Sequence, residues 1–103
     1  MDLGIFEKKV LKKLLEIPSG KVSTYKLLAI AVKNPKAVRA VGNALHKNLD
    51  APRVPCHRIV KSDGGLGGYG GGQTKKIKLL ESEGVKVKNG RVLDFEKIIF
   101  RFK

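Results

Sequence analysis

The sequence has little sulfur, no tryptophan and few acidic residues. Its 103 residues contain one cysteine, Cys56, and two histidines, His46 and His57. A single cysteine cannot form a disulfide within the chain, and no set of ligands has the spacing of a zinc finger. These absences exclude a disulfide-stapled domain and a structural zinc module. We expect no metal and no other cofactor.

Long apolar stretches are also missing. No run approaches the roughly 18 apolar residues that cross a membrane, and the N-terminus lacks the apolar core of a signal peptide. We therefore expect a cytoplasmic protein that binds no membrane. The length is that of one domain, which we expect to span residues 1–103, with a single modest core.

The scarcity of acidic residues leaves a large excess of positive charge. The chain has 22 Lys and Arg against 9 Asp and Glu, a formal net charge of +13. From residue 17 to residue 49 there are six basic residues and no acidic one. Such a segment is either a solvated face or a contact surface for a polyanion, and nucleic acid is the leading candidate.

The first half of the chain has the pattern of a helix-turn-helix. Apolar residues recur at helical spacing at the N-terminus, at Leu3, Phe6, Val10, Leu14 and Ile17. After a break at 18–20, Ser23 is predicted to cap a short helix over 26–32. Asn34 as cap and Pro35 at the first helical position then predict another helix, which runs to about Lys47.

The second of these short helices has two distinct faces. Val38, Val41 and Leu45 are expected to face the core. The opposite face is basic, polar and small, and comprises Lys36, Arg39, Ala40, Asn43 and Lys47. A helix so rich in alanine and glycine is slim, which favours close approach to a backbone over reading of bases. Packing of this helix against its own protein is the alternative.

The second half mixes loops with small elements. Pro52 and Pro55 exclude helix, residues 58–60 can form a short strand, and seven of the twelve glycines fall between Gly64 and Gly72. A helix over about 74–83, a hairpin around Asn89-Gly90 and an apolar tail over 95–102 follow. We expect a mainly α fold with small β elements, a winged-helix-like helix-turn-helix domain with an active-site loop and a short hairpin.

The segment Pro55-Cys56-His57-Arg58 is the strongest chemical signal. A lone cysteine is most often a small buried hydrophobe. An adjacent histidine and arginine in a basic domain instead favour the thiolate, which is the reactive form of a cysteine. In an extended chain neighbouring side chains point opposite ways, so we expect no direct pair between Cys56 and His57.

These residues resemble a known family. Val54-Pro55-Cys56-His57-Arg58-Ile59-Val60 is similar to the active-site signature of the methylated-DNA-protein-cysteine methyltransferases, or 6-O-alkylguanine-DNA alkyltransferases. Further similarities follow in order along the chain, at Tyr25, Arg39-Ala40-Val41-Gly42-Asn43-Ala44, Asn48, Gly67-Gly68-Tyr69 and Glu83-Gly84. The resemblance covers about Leu3 to Gly84 and lacks the N-terminal domain of most members, so it implies the catalytic DNA-binding domain standing alone.

The resemblance implies irreversible transfer of an alkyl group from O6 of a flipped-out guanine, with O4 of thymine a further possible donor, to Cys56. It implies that His57 takes the thiol proton through a water, that Glu83 orients His57, and that Asn48 holds the active-site turn. The partner would be double-stranded DNA carrying 6-O-alkylguanine, bound through the minor groove by a monomer. The implied DNA and base contacts are Tyr25, Arg39, Lys36, Ala40, Asn43, Arg58, Tyr69 and Gly70.

Two positions do not follow the family pattern. Gly70 stands where the family usually has serine, and His46 matches no family position, so we expect His46 to contact solvent or phosphate.

Two other functions remain as alternatives. Non-catalytic alkyltransferase-like proteins recognise lesions but replace the signature cysteine, so Cys56 argues against that function. A general winged-helix DNA-binding protein with a structural cysteine is the other alternative.

Overall fold

The computed structural model describes residues 4–102. Within this range the helices are α1 (Ile5–Leu14), α2 (Tyr25–Ala31), α3 (Val38–His46), α4 (Gln73–Ser82) and α5 (Phe95–Ile98). Strand β1 (Ser23–Thr24) pairs with β2 (Ile59–Val60), and β3 (Val87–Lys88) pairs with β4 (Arg91–Val92). The prediction of a mainly α fold with small β elements is confirmed.

Helices α1, α2 and α3 enclose the larger part of the core. Val10, Leu14 and Ile17 are buried as their spacing predicts, and Phe6 is half-buried beside them. Leu3, the first residue of that pattern, lies outside the described residues. Burying these side chains against α2 and α3 stabilises each by about 1.5–3 kcal/mol relative to exposure.

The start of α2 differs from the prediction by one residue. The Thr24 hydroxyl accepts a hydrogen bond from the Leu27 amide at 3.0 Å and is therefore the N-cap. Ser23 does not cap the helix, because it lies in strand β1 and its hydroxyl donates to the Phe100 carbonyl at 2.9 Å. The prediction for Ser23 is wrong because a strand shorter than any sequence pattern can reveal occupies that position.

The start of α3 also differs. Lys33 adopts a left-handed backbone (φ 63°) after α2, and the Ala37 amide donates to the Asn34 carbonyl at 2.9 Å. This turn precedes α3, whose N-cap is Ala37. The prediction that Asn34 caps the helix and Pro35 opens it is wrong, because both residues are used by the turn. Lys36 is exposed in the same turn and is not on the helix.

The buried face of α3 is rotated relative to the prediction. Val41 and Ala44 are fully buried and Leu45 is half-buried, whereas Val38 is 40% exposed. The prediction that Val38 faces the core is therefore wrong, and Ala44 takes that place. The face predicted to point outward does so for its helical members, which are the exposed residues Arg39, Ala40 and Asn43, followed by Lys47.

A parallel strand pair joins the two halves of the chain. Ser23 lies opposite Ile59 and Thr24 opposite Val60. This pairing brings the segment that contains Cys56 next to the first residue of α2, Tyr25. The site described below is assembled at this junction.

The C-terminal third agrees closely with the sequence pattern. Helix α4 lies within a residue of its predicted bounds, and Gly84 (φ 89°) follows its C-cap, Glu83. In the predicted hairpin Val87 lies opposite Val92, and Asn89 and Gly90 have the positive φ angles of a tight turn. The apolar tail packs back onto the core through Phe100 and Phe102.

Two further features bear on the class of protein. None of the helices between residues 4 and 102 is long and apolar enough to cross a membrane. Over the same residues, no group of three His, Cys, Asp or Glu side chains is arranged to hold a metal ion.

Candidate active site

Cys56 opens a short 3₁₀ turn, Cys56–Arg58, that leads into β2. The prediction of extended chain at this point is wrong, since the Arg58 amide donates to the Pro55 carbonyl at 3.0 Å and closes the turn. Cys56 is 8% exposed, so its thiol is almost enclosed yet still reached from solvent.

Asn48 braces the loop that leads into this turn. Its Nδ2 donates to the Val54 carbonyl at 2.7 Å, and its Oδ1 accepts from the Asp50 amide at 3.0 Å. The Cys56 amide donates to the same Val54 carbonyl at 2.9 Å. The Val54 carbonyl thus links Asn48 to Cys56, and through this link Asn48 can hold the turn.

His57 is completely buried and bound to Glu83. Its Nε2 lies 3.0 Å from the Glu83 Oε2, and because a carboxylate only accepts, Nε2 carries the proton. Burial lowers the pKa of His57 against the opposing pull of Glu83. The ring is therefore neutral near pH 7, with an unprotonated Nδ1. Within residues 4–102 this buried Nδ1 has no hydrogen-bond partner.

Glu83 is held by two residues of the turn. Arg58 donates to its carboxylate from Nε at 2.9 Å and from Nη2 at 2.6 Å. Although burial favours the neutral acid, the hydrogen bonds from Arg58 and His57 hold the pKa of Glu83 below its ordinary value. The site therefore contains a fixed carboxylate that orients the imidazole of His57.

Arg58 is directed inward and not toward a ligand. Besides its two bonds to Glu83, its Nη1 donates to the Ile17 carbonyl at 2.7 Å. All three polar groups of the guanidinium thus have partners within the protein. The arrangement lets Arg58 position Glu83, and the DNA contact that the sequence resemblance implies for Arg58 stays a prediction.

A cleft of about 280 Å³ opens beside Cys56. It brings together most of the residues that the sequence assigns to base or DNA contact. Its lining comprises Tyr25, Arg39, Gly42, Asn43, Leu45, His46, Cys56, Gly68, Tyr69 and Gly70. His46, which the sequence left without a role, is part of this lining. Ala40 and Lys36 are absent from it, and both are exposed nearby on α3 and in the turn before it.

The glycine loop, residues 64–72, forms the wall of the cleft opposite α3. Gly67 has a positive φ of 73°, and a Cβ at this position would lie 2.8 Å from the Tyr25 hydroxyl. Only glycine therefore lets the loop approach Tyr25 so closely. Burial raises the pKa of Tyr25, so its hydroxyl remains a hydrogen-bond donor at neutral pH.

Tyr69 covers the other side of the turn. Its ring meets the His57 ring edge to face, with centroids 6.5 Å apart. Burial, and then the nearby Cys56, raise the pKa of Tyr69. A smaller cavity of about 140 Å³ lies beyond Tyr69, also reaches Cys56, and is lined in part by Asn48, Ala51 and Lys75.

Lys76 is the residue of the site that sequence reasoning missed. It is fully buried, and its Nζ donates to the carbonyls of Ile59 at 2.7 Å, Leu66 at 2.5 Å and Gly68 at 3.1 Å. Burial lowers the pKa of Lys76 to about 8. Its spacing from the buried Leu80, one helical turn later, is the signal that places this lysine on the inner face of α4.

The fold and the site agree with one family of proteins. A family model described as "6-O-methylguanine DNA methyltransferase, DNA binding domain" matches residues 5–85. The chain belongs to this family. It is 48% identical over 82 residues to the methylated-DNA–protein-cysteine methyltransferase of Rattus norvegicus. The aligned region covers 78% of this chain and 39% of the rat protein.

Two solved structures extend the comparison. Mycobacterium tuberculosis OGT in complex with DNA superimposes with a TM-score of 0.77 at 44% identity, over 80% of this chain and 51% of that one. S. pombe Atl1, in complex with damaged DNA containing O6-carboxymethylguanine, gives a TM-score of 0.83 at 33% identity, over 99% of this chain and 100% of that one. The chain thus spans about half or less of the methyltransferases and the whole of Atl1.

Proposed function

We propose that this domain repairs DNA by moving an alkyl group from O6 of guanine in duplex DNA to Sγ of its own Cys56. The observation that carries the proposal is the position of Cys56, at a base-sized cleft and directly before a neutral His57 that Glu83 orients. A thiol beside an oriented base is the arrangement of nucleophilic catalysis. Because the S-alkyl bond is stable, each molecule acts once.

The proposed reaction balances without a further reactant. The thiol proton passes through a water to Nδ1 of His57, the one buried side-chain nitrogen of the described residues without a partner. The Cys56 sulfur then forms a bond to the alkyl carbon as the bond from that carbon to guanine O6 breaks. The leaving guanine keeps the electron pair and takes up one proton, and protonated His57 releases the one that it accepted, so the products are S-alkylcysteine, normal guanine and neutral His57.

The proposed DNA contact uses the exposed face of α3. This face is slim and carries Arg39, Ala40 and Asn43, so it can enter the minor groove with its backbone close to the duplex. Arg39 also lines the cleft, from where it would replace the flipped guanine in the base stack. The Tyr25 hydroxyl and the loop of Tyr69 and Gly70 would hold the flipped base beside Cys56.

Intact mass spectrometry tests this function. Incubation with an oligonucleotide duplex containing 6-O-methylguanine should add one methylene mass to the protein, on the Cys56 peptide, and consume one lesion per protein molecule. Cys56→Ala should show no mass gain with the cleft otherwise intact. Folded, reduced protein that gains no mass from this duplex would overturn the proposal.

Lesion recognition without transfer is the second candidate. The observation behind it is the match, over the whole length of both chains at 33% identity, to Atl1, which was solved in complex with damaged DNA. The cysteine of the signature argues against it, since a protein that only binds has no use for a thiol beside a base. Tight binding of the lesion duplex with Cys56 still unmodified would decide for this second function.

A further inference from the structure

Lys76 carries a buried positive charge whose use is not explained by packing. Its side chain is the largest of those that are fully buried. The ammonium has three hydrogens, and each meets one backbone carbonyl. A neutral amine would leave one of these carbonyls without its donor, so the geometry fits the protonated lysine.

The three carbonyls belong to two different segments of the site. Ile59 directly follows the turn of Cys56, whereas Leu66 and Gly68 belong to the glycine loop that precedes Tyr69. Lys76 therefore ties the segment of the nucleophile to the loop that faces it. In the described residues no other side chain donates to both segments at once.

The charge of Lys76 has no carboxylate partner in residues 4–102. Glu83, the acidic residue of the site, is already engaged by Arg58 and His57. Buried charges are costly unless they are paired. Cys56 lines the same cleft as Gly68, one of the three carbonyl acceptors of Lys76, and a negative charge on Cys56 raises the pKa of Lys76 against the effect of burial.

We propose that Lys76 is a positioning residue that ties the segment following Cys56 to the glycine loop and supplies the buried cation that stabilises the Cys56 thiolate. The thiolate is the species that the proposed alkyl transfer needs, so this inference rests on that function. Other titratable side chains line the two cavities that Cys56 also lines, or follow Cys56 in its turn. They are Tyr25 of α2, Arg39 and His46 of α3, Tyr69 of the glycine loop, Lys75 of α4 and His57 of its own turn.

Two substitutions separate the charge of Lys76 from its hydrogen bonds. Lys76→Gln keeps two N–H donors without the charge, and Lys76→Met keeps only the length. Lys78→Met is the matched control, because Lys78 is exposed on the same helix. The readouts are the rate at which iodoacetamide alkylates Cys56 near neutral pH and the amide hydrogen exchange of residues 66–71.

Iodoacetamide needs only the thiolate and no DNA, so this rate tests Lys76 even where alkyl transfer from guanine fails. We expect Lys76→Gln to react about tenfold more slowly than wild type, because losing stabilisation equivalent to one pKa unit lowers the thiolate fraction about tenfold. Its loop exchange should stay close to that of wild type. Lys76→Met should show the same slow reaction and faster loop exchange. Lys78→Met should match wild type in both readouts.

A measurement without a Lys76 substitution keeps the proposal testable where Lys76→Met does not fold. The ¹³Cε shift of Lys76 is titrated in wild type and in Cys56→Ser, which removes the ionisable partner. The midpoint should be lower in Cys56→Ser. An unchanged midpoint, or a Lys76→Gln protein that reacts with iodoacetamide as fast as wild type, would overturn the proposal.

Discussion

Nε2 of His57 lies 3.0 Å from Oε2 of Glu83, although 26 residues separate them along the chain. Because Nε2 carries the proton, Nδ1 of this neutral, buried imidazole is the unprotonated nitrogen, and it belongs to the residue that directly follows Cys56. Arg58 holds the carboxylate from its other side. In the proposed reaction, the turn of Cys56 supplies the nucleophile, the base and the residue that holds the base's partner, in three consecutive residues.

Glu83→Gln should slow alkyl transfer by about a hundredfold, because an amide can accept from or donate to Nε2 and no longer fixes the tautomer of His57. The rate is measured as mass gain under single-turnover conditions with a 6-O-methylguanine duplex. Glu81→Gln, exposed on the same helix, is the control and should react at the wild-type rate. Equal rates for both variants would contradict the role of Glu83.

Acid should weaken the protein in two stages. Burial lowers the pKa of His57 from 6.5, so below about pH 6.5 the unfolded chain binds a proton that the folded protein does not, and stability falls. The pKa of Glu83 is held below 4.5, so its contribution, present above that pH, is lost as pH falls further through its folded pKa. Urea unfolding at a series of pH values checks both stages. In His57→Gln the stage that begins near pH 6.5 should be absent.

Alkali should have the opposite effect through Lys76. Its pKa is lowered from 10.5 to about 8, so between these values the unfolded chain binds the extra proton and the free energy of unfolding rises with pH. Lys76→Met lacks this term. The stability of wild type minus that of Lys76→Met should therefore increase by about 2 kcal/mol between about pH 8 and 9.5. A constant difference, measured by urea unfolding, would contradict the lowered pKa.

Gly67→Ala should destabilise the protein by about 1–3 kcal/mol, because alanine resists the positive φ and its Cβ meets the Tyr25 hydroxyl. Gly68→Ala is the matched control. No atom lies within 4 Å of a Cβ built there, and its φ is not positive, so the cost should stay below about 1 kcal/mol. Thermal unfolding of both variants measures the difference.

Salt should act on binding of the duplex and not on the chemistry. The excess of +13 attracts phosphates through counterion release, so raising the salt concentration should weaken duplex binding steeply. Slow transfer from free 6-O-alkylguanine base, which has no phosphates, should change little. The two are compared by fluorescence anisotropy of a labelled duplex and by mass gain with the free base. Equal salt dependence would show that the charge serves another purpose.

Local sequence patterns predicted those parts of the fold that depend on nearby residues. The hairpin at Asn89-Gly90 and the end of α4 at Gly84 are set by backbone conformations that few residues adopt, so they are visible in the sequence. The family resemblance likewise implied that Glu83 orients His57, and the structure contains that contact. The resemblance could imply a contact between residues distant in the chain because a family's motifs include residues that are neighbours in the folded structure.

Residues whose partners are distant were the ones mispredicted or missed. Ser23 looks like an N-cap until its pairing with Ile59 and its bond to Phe100 are known. For Arg58, nothing local reveals that its guanidinium binds Ile17 and Glu83. Lys76 is one of many lysines, and only the arrangement of three carbonyls distinguishes it.

The C-terminal tail supports the cleft from a part of the chain that is synthesised late. Val22 bridges to Ile99, and the Phe100 amide donates to the Val22 carbonyl, directly before β1. Strand β1 in turn holds Tyr25 near the turn of Cys56. A growing chain on the ribosome therefore lacks part of this support until residues 99–100 have emerged. Tyr25 and the turn of Cys56 therefore gain their full support late, after both segments have themselves been made.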